Sequence, residues 1–176
     1  MQTAFRDAIS GFPSVVTTAD KLLRAAKILS IPVYVTTQNA ARLGGTVPEL
    51  PISHAMAVYD KTKFSMATPE VVAALPPRSS IAIVGIEAHI CVTQTALDLL
   101  RNGHGIYIIA DGVGSCNPQE VGVALARLRA AGAVITTSES WIFEVMGDAK
   151  IPEFKEIVRL VKEYKEATRD ALQSLL

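Results

Sequence analysis

Residues 79–100 read SSIAIVGIEAHICVTQTALDLL, and this stretch decides the fold. An apolar, β-branched run over 81–85 ends at Gly85, and an amphipathic helical pattern over 91–100 opens at Cys91. A strand feeding a helix at that point puts one thiol at the positive end of a helix dipole. Such a setting lowers a thiol pKa and turns an inert side chain into a nucleophile. The expectation is therefore a strand, a tight turn, and a reactive Cys91.

Working outward, the same alternation recurs. Residues 14–29 place Val15, Ala19, Leu22, Ala26 and Leu29 at helical spacing, which predicts one buried face. A short strand over 31–36, carrying Pro32, follows, and then a long loop over 38–56 with Gly44, Gly45, Pro48 and Pro51. Loops of that length are uncommon without a task, so this one is expected to rim a site. An edge strand over 57–60, a short helix over 69–75 and the 79–100 unit come next. A buried strand over 106–110 leads into Asp111-Gly112-Val113-Gly114, read as a turn. Asn117-Pro118-Gln119-Glu120 is a helix-start signature, Gly132 releases that helix, and a strand over 133–136 follows. One final helix is expected over 152–173, with Arg159–Glu163 and Lys162–Glu166 as ion pairs on its wet side.

Strands alternating with helices predict an α/β fold, a parallel sheet covered on both faces. Ligands of such sheets sit beyond the carboxyl ends of the strands. Lys61, Cys91 and Asp111 all fall at strand ends in this reading. The chain of 176 residues fits one domain spanning 1–176, with no repeat or linker. Its 17 basic and 17 acidic side chains give no electrostatic reason to expect nucleic acid. No apolar run approaches the roughly 20 residues of a membrane span, and MQTAFRDAISGF lacks the core of a secretory leader. Two cysteines are too few for a disulfide framework, so the cytosol is the expected compartment. A longer N-terminus would admit a mitochondrial address.

GIEAHIC (85–91), DKTKFSM (60–66) and GGTVPEL (44–50) resemble the isochorismatase-like cysteine hydrolase superfamily. The likeness continues through DLLRNGHGIYIIADGVGS (98–115) and ITTSESWIFEVMGDAKIPEFKEI (135–157), in order and spacing. The resemblance implies a three-layer α/β/α domain with a Rossmann-like sheet ordered 3-2-1-4-5-6. It implies an aspartate–lysine–cysteine triad with Cys91 as nucleophile and Lys61 as the lysine. It also implies a cis peptide between Ile86 and Glu87, in a turn that aims backbone amides at an oxyanion. The activity implied is hydrolysis of a small amide or related C–N bond, with no cofactor, and homo-oligomers are common in the superfamily.

One departure stands at the front. The family pattern has a buried strand ending Asp-Met-Gln, whose aspartate is the triad acid, whereas this sequence begins Met1-Gln2. The expectation is a sheet without its first, central strand, and turnover several orders of magnitude down for want of the acid. The native protein is then expected to be longer, which the upstream coding sequence tests.

Each candidate has a plainer reading beside it. Cys91 as a small core residue is the alternative to a nucleophile. Lys63 competes with Lys61, two positions away. Asp111 before a glycine is more simply a turn former than a substitute acid, and Glu87 is a poor general base if its backbone shapes the turn. His89 is too near Cys91 in sequence for a dyad. His54 and His104 are isolated, and Thr37-Gln38-Asn39 lacks the Asp-x-His metal pattern of some relatives, so no metal is expected. Cys116 reads as a thiol near a helix start, Trp141 and Phe143 as core or subunit contact, and Gly44-Gly45 and Gly112-x-Gly114 as turn glycines. The rival to an enzyme is a non-catalytic oligomeric scaffold using the same fold.

Overall fold

A computed structural model describes residues 1–173 and 175. Five strands run β1 Tyr34–Gln38, β2 Ala57–Lys61, β3 Ser80–Ile86, β4 Gly105–Gly114 and β5 Val134–Thr136. They alternate with helices α1 Phe12–Ile28, α2 Ala40–Leu43, α3 Pro69–Ala74, α4 Thr93–Arg101, α5 Pro118–Ala130, α6 Ser138–Met146, α7 Phe154–Glu163 and α8 Lys165–Gln173. All strand pairs are parallel. They form two sheets, β1-β2 and β3-β4-β5, and among the described residues β1 and β3 each have one paired edge. β1 and β3 do not pair with each other. No helix among the described residues is long and apolar enough to cross a membrane.

Helices cover both faces. Ala96 and Leu99 of α4 and Ala124 and Leu128 of α5 pack on Ile83, Ile106 and Ile108. On the opposite face, Leu22 and Ala25 of α1, Ile142 of α6 and Ile157 and Leu160 of α7 pack around Ile109. Trp141 belongs to that core, whereas Phe143 is exposed at 38%. The predicted stripe of α1 is buried at Val15, Ala19, Leu22 and Ala26.

Several boundaries differ from the sequence reading, each for a local reason. β1 starts at Tyr34 rather than residue 31, past Pro32, which has no N–H for a ladder. The final helix is two helices. The break falls at Tyr164, whose hydroxyl donates to Asp20 and accepts from Arg24 Nη1 at 2.9 Å. Glu163 accordingly pairs with Arg24 at 2.5 Å instead of Arg159, and Glu166 pairs with Arg169. Long-range anchoring to α1 outweighs the within-helix pairs, which are worth only about 0.3–0.5 kcal/mol each.

β4 does not stop before Asp111 but carries on through Gly114. The register explains how: Ile83 pairs with Ile108, yet Gly85 pairs with Val113, so 109–112 bulge opposite Val84. Gly112 and Gly114 are therefore packing glycines rather than turn glycines. A Cβ on Gly112 would lie 2.9 Å from Val84 Cγ1, and one on Gly114 2.9 Å from Val15 Cγ2. Gly114→Ala is expected to cost about 1–3 kcal/mol, because Val15 and Ile9, whose Cγ2 would lie 3.3 Å away, are both stiff β-branched side chains. Gly122, inside α5 with open space around it, is the control. There Ala is expected to add about 0.5–1 kcal/mol. Urea midpoints that move the same way for both variants would contradict this packing.

Candidate active site

Lys61 ends β2 and Cys91 follows β3, so the two sheets contribute one candidate group each. Lys61 is 8% exposed. Its Nζ donates to Gln38 Oε1 at 2.6 Å and to the carbonyls of Lys63 and Phe64, both at 2.9 Å. An ammonium has three hydrogens, and all three are placed. Lys63 points elsewhere, 3.6 Å from Asp98 and mostly exposed. The structure thus separates the two lysines that sequence spacing left in competition. The Asp60 carboxylate accepts from the Ala40 amide and from Thr37 Oγ1, which holds its carboxyl below the ordinary range.

Cys91 is half-buried and lies in a π-helical turn, Ala88–Val92, that precedes α4. The chain enters this turn through Glu87, whose backbone is left-handed at φ 56° and ψ 69°. There is no cis peptide among the described residues, so the expected cis bond between Ile86 and Glu87 is not found. The left-handed Glu87 makes the reversal instead. Its carbonyl then accepts the amides of Ile90 at 3.0 Å and Val92 at 3.2 Å.

Burial pushes the Cys91 thiol up from its ordinary value; the Lys61 charge pulls it back and the Glu87 carboxylate pushes it further. Sequence placement at a helix start predicts the reverse. A helix terminus is worth about 0.3–1 kcal/mol at the surface, whereas desolvation moves a buried group by up to several pKa units. At a half-buried position desolvation wins. The Lys61 ammonium is in turn pulled down by burial and partly restored by Cys91 and Asp60. The two groups are close enough for each to feel the other's charge. The Met1 amino group shares this neighbourhood, its pKa held down by burial and then by Lys61.

Thr95 is a participant that sequence reading missed. Its hydroxyl donates to the Cys91 carbonyl at 2.6 Å and accepts from the Met66 amide at 2.8 Å. One buried side chain thus ties the thiol turn to the loop that follows Lys61. The signal available was a threonine four residues after the cysteine, the spacing of a back-bond to i−4.

Other candidates are placed differently. Asp111 is 4% exposed, and its carboxylate accepts the Ser138 amide at 2.7 Å and the Ser138 hydroxyl, fixing the start of α6. His89 Nδ1 faces Ser115 Oγ at 3.1 Å and Glu87 Oε2 at 3.4 Å. Cys116 is exposed. His104 is buried with an unpartnered Nδ1, and His54 Nε2 is unpartnered too. The 38–56 loop is pinned, not open: Val47 and Leu50 are buried beside Phe12, and the Gln2 amide binds the carbonyls of Gln38 and Gly44. Its Pro48–His54 part lines a groove with Asp20, Arg24 and Arg159 of the α1–α7 side.

Comparison with known proteins agrees with this architecture. The isochorismatase domain family model matches residues 1–140. The chain is 42% identical over 172 residues to the secreted isochorismatase effector Isc1 of Phytophthora sojae, covering 93% of this chain and 82% of that protein. It is 43% identical over 166 residues to isochorismatase domain-containing protein 2 of Xenopus laevis, covering 93% and 80%. Among solved structures, the MAR1 ribonuclease of Caenorhabditis elegans superposes with a TM-score of 0.87 at 41% identity, covering 91% of this chain and 84% of that one.

Proposed function

This chain belongs to the isochorismatase family, and we propose that it is a cysteine-dependent hydrolase of a small amide or related C–N substrate. The observation that carries the reading is the pairing of one half-buried thiol, Cys91, with one buried, fully hydrogen-bonded ammonium, Lys61. Cys91 Sγ attacks the carbonyl carbon, and the Lys61 charge balances that on the oxygen. The amine leaves with a proton, and water then cleaves the thioester to free the acid and the thiol.

Deprotonation is the weak step. The carboxylate that acts on Cys91 is Glu87, and its charge opposes ionisation. Turnover by these residues is therefore set several orders of magnitude below that of a site with a carboxylate base at the thiol. Homo-oligomerisation and a cytosolic setting belong to the same proposal. The exposed Met56, Val58 and Phe64, just before, on and just after the edge strand β2, support a subunit contact.

A ribonuclease reading is suggested by the name of the C. elegans relative. Equal numbers of acidic and basic side chains supply no excess positive field for a polyanion, which favours the small substrate. The test is turnover of a panel of low-molecular-weight amides, with mass spectrometry for an acyl adduct. The expected result is an adduct on the Cys91 peptide, and turnover that falls about 10³-fold or more in Cys91→Ser but persists in Cys116→Ser. Cleavage of RNA that survives Cys91→Ser would overturn the reading. Equal, slow labelling of both cysteines by iodoacetamide, with no adduct, would favour a scaffold.

A further inference from the structure

We propose that Glu87, His89 and Cys116 form a binding site for a zinc-class divalent cation. The sequence expectation of no metal rested on the isolated His54 and His104 and on Thr37-Gln38-Asn39 at the end of β1, all in other places. Here the ligands are brought together by strand register. Ile86 at the end of β3 pairs with Gly114 at the end of β4, so the residues just beyond each strand become neighbours. Glu87 and His89 come from the turn after β3, and Cys116 from the loop before α5. The Cys116 amide donates to Glu87 Oε2 at 3.3 Å, which fastens one loop to the other.

The geometry suits a tetrahedral ion. One ligand atom from each of the three residues lies within 4.8 Å of the others. Zinc bonds of about 2.0–2.2 Å to nitrogen and oxygen set those ligands about 3.3–3.5 Å apart at tetrahedral angles. His89 Nδ1 and Glu87 Oε2 stand 3.4 Å apart. A sulfur bonded at about 2.3 Å needs a separation of about 3.5 Å from each, so the thiolate has at most about 1.3 Å to close. Cys116 is exposed, and rotation about its Cα–Cβ bond is open to it. Ser115 Oγ, now 3.1 Å from His89 Nδ1, gives up that contact when the ion arrives.

Ligand chemistry selects the ion. Imidazole, thiolate and a single carboxylate suit zinc and its neighbours, while magnesium and calcium favour all-oxygen shells. Three protein ligands leave a fourth position on the exposed Cys116 side for water. The site is independent of the hydrolase reading, and its test needs no substrate.

Cobalt(II) titration of the full chain is the experiment, read by the near-ultraviolet charge-transfer band of a thiolate–cobalt bond. The band is expected to saturate, to disappear when zinc is added, and to be absent from Cys116→Ser while present in Cys91→Ser. Glu87→Gln and His89→Ala are each expected to weaken binding at least about tenfold. Zinc is also expected to slow alkylation of Cys116 at least about tenfold in the wild type, but not in His89→Ala. Absence of the band, its survival in Cys116→Ser, or wild-type affinity in both Glu87→Gln and His89→Ala would overturn the site.

Discussion

Lys61→Met is expected to cut amide hydrolysis about 10³-fold or more and to shift the alkylation profile of Cys91 toward alkaline pH. The direction follows from charge. Lys61 is the largest influence favouring the Cys91 thiolate, opposing burial and Glu87. Its removal leaves only the influences that raise the thiol pKa, apart from the Met1 amino group. Lys61→Arg is not expected to rescue turnover, because a planar guanidinium cannot address Gln38 Oε1 and two carbonyls as a rotating ammonium does. Cys91 alkylation rates across pH, followed by mass spectrometry, provide the check. An unchanged profile in Lys61→Met would separate the lysine from the thiol altogether.

The same substitution has a stability signature whose sign is fixed. Burial pulls the Lys61 pKa below its ordinary 10.5, so the unfolded chain binds the proton more tightly than the folded one. Between the folded value and 10.5 the unfolded state carries more protons, and this group makes stability rise with pH. Lys61→Met removes that alkaline rise. Urea midpoints at neutral and alkaline pH measure it.

Asp111→Ala is the second large effect, and it falls on stability. The carboxylate takes both the amide and the hydroxyl of Ser138, itself fully buried, and it also steadies the charge of the buried Lys21. Removing it strands a buried N–H and a buried O–H and deprives Lys21 of a countercharge. The expected loss is about 3–5 kcal/mol, since each orphaned group costs about 1–3 kcal/mol and a buried charge losing its partner costs more. Asp111→Ala combined with Ser138→Ala is expected to lose less than the sum of the single changes, because the hydroxyl no longer needs a partner. A loss below about 1 kcal/mol in the single variant would show that this bridge does not hold α6.

Much of the fold is legible because burial writes a period into the sequence. The α1 stripe, the parallel strands and the starts of α3 and α5 at Pro69 and Pro118 all follow from spacing and local sterics. The errors arise where long-range contacts override local signals. Asp111-Gly112 reads as a turn, yet Val84 packs against Gly112 and keeps it in a strand. Residues 152–173 read as one helix, yet Asp20 and Arg24 of α1 hold Tyr164 at a break. At the site, Lys61 and Cys91 stand out from residue type and position, but the balance of forces on the thiol depends on burial depth. Thr95, and the meeting of Glu87 and His89 with Cys116, depend on which strand ends lie side by side.

The division of strands into two sheets sets how the site fails. A two-stranded ladder has little independent stability, and β1-β2 carries Lys61 while β3-β4-β5 carries Cys91. Proteins open in cooperative units smaller than the whole, and here the boundary between the two sheets runs between Lys61 and Cys91. Thr95, bridging Met66 and Cys91, and Gln2, bridging the Gln38 and Gly44 carbonyls, act as stitches across or beside that boundary. Amide exchange is therefore expected to be faster in 34–61 than in 105–110. Such an opening would part the Lys61 ammonium from the Cys91 thiol while the larger sheet stays folded, and the proposed activity would then follow a local equilibrium that a global melting curve does not record.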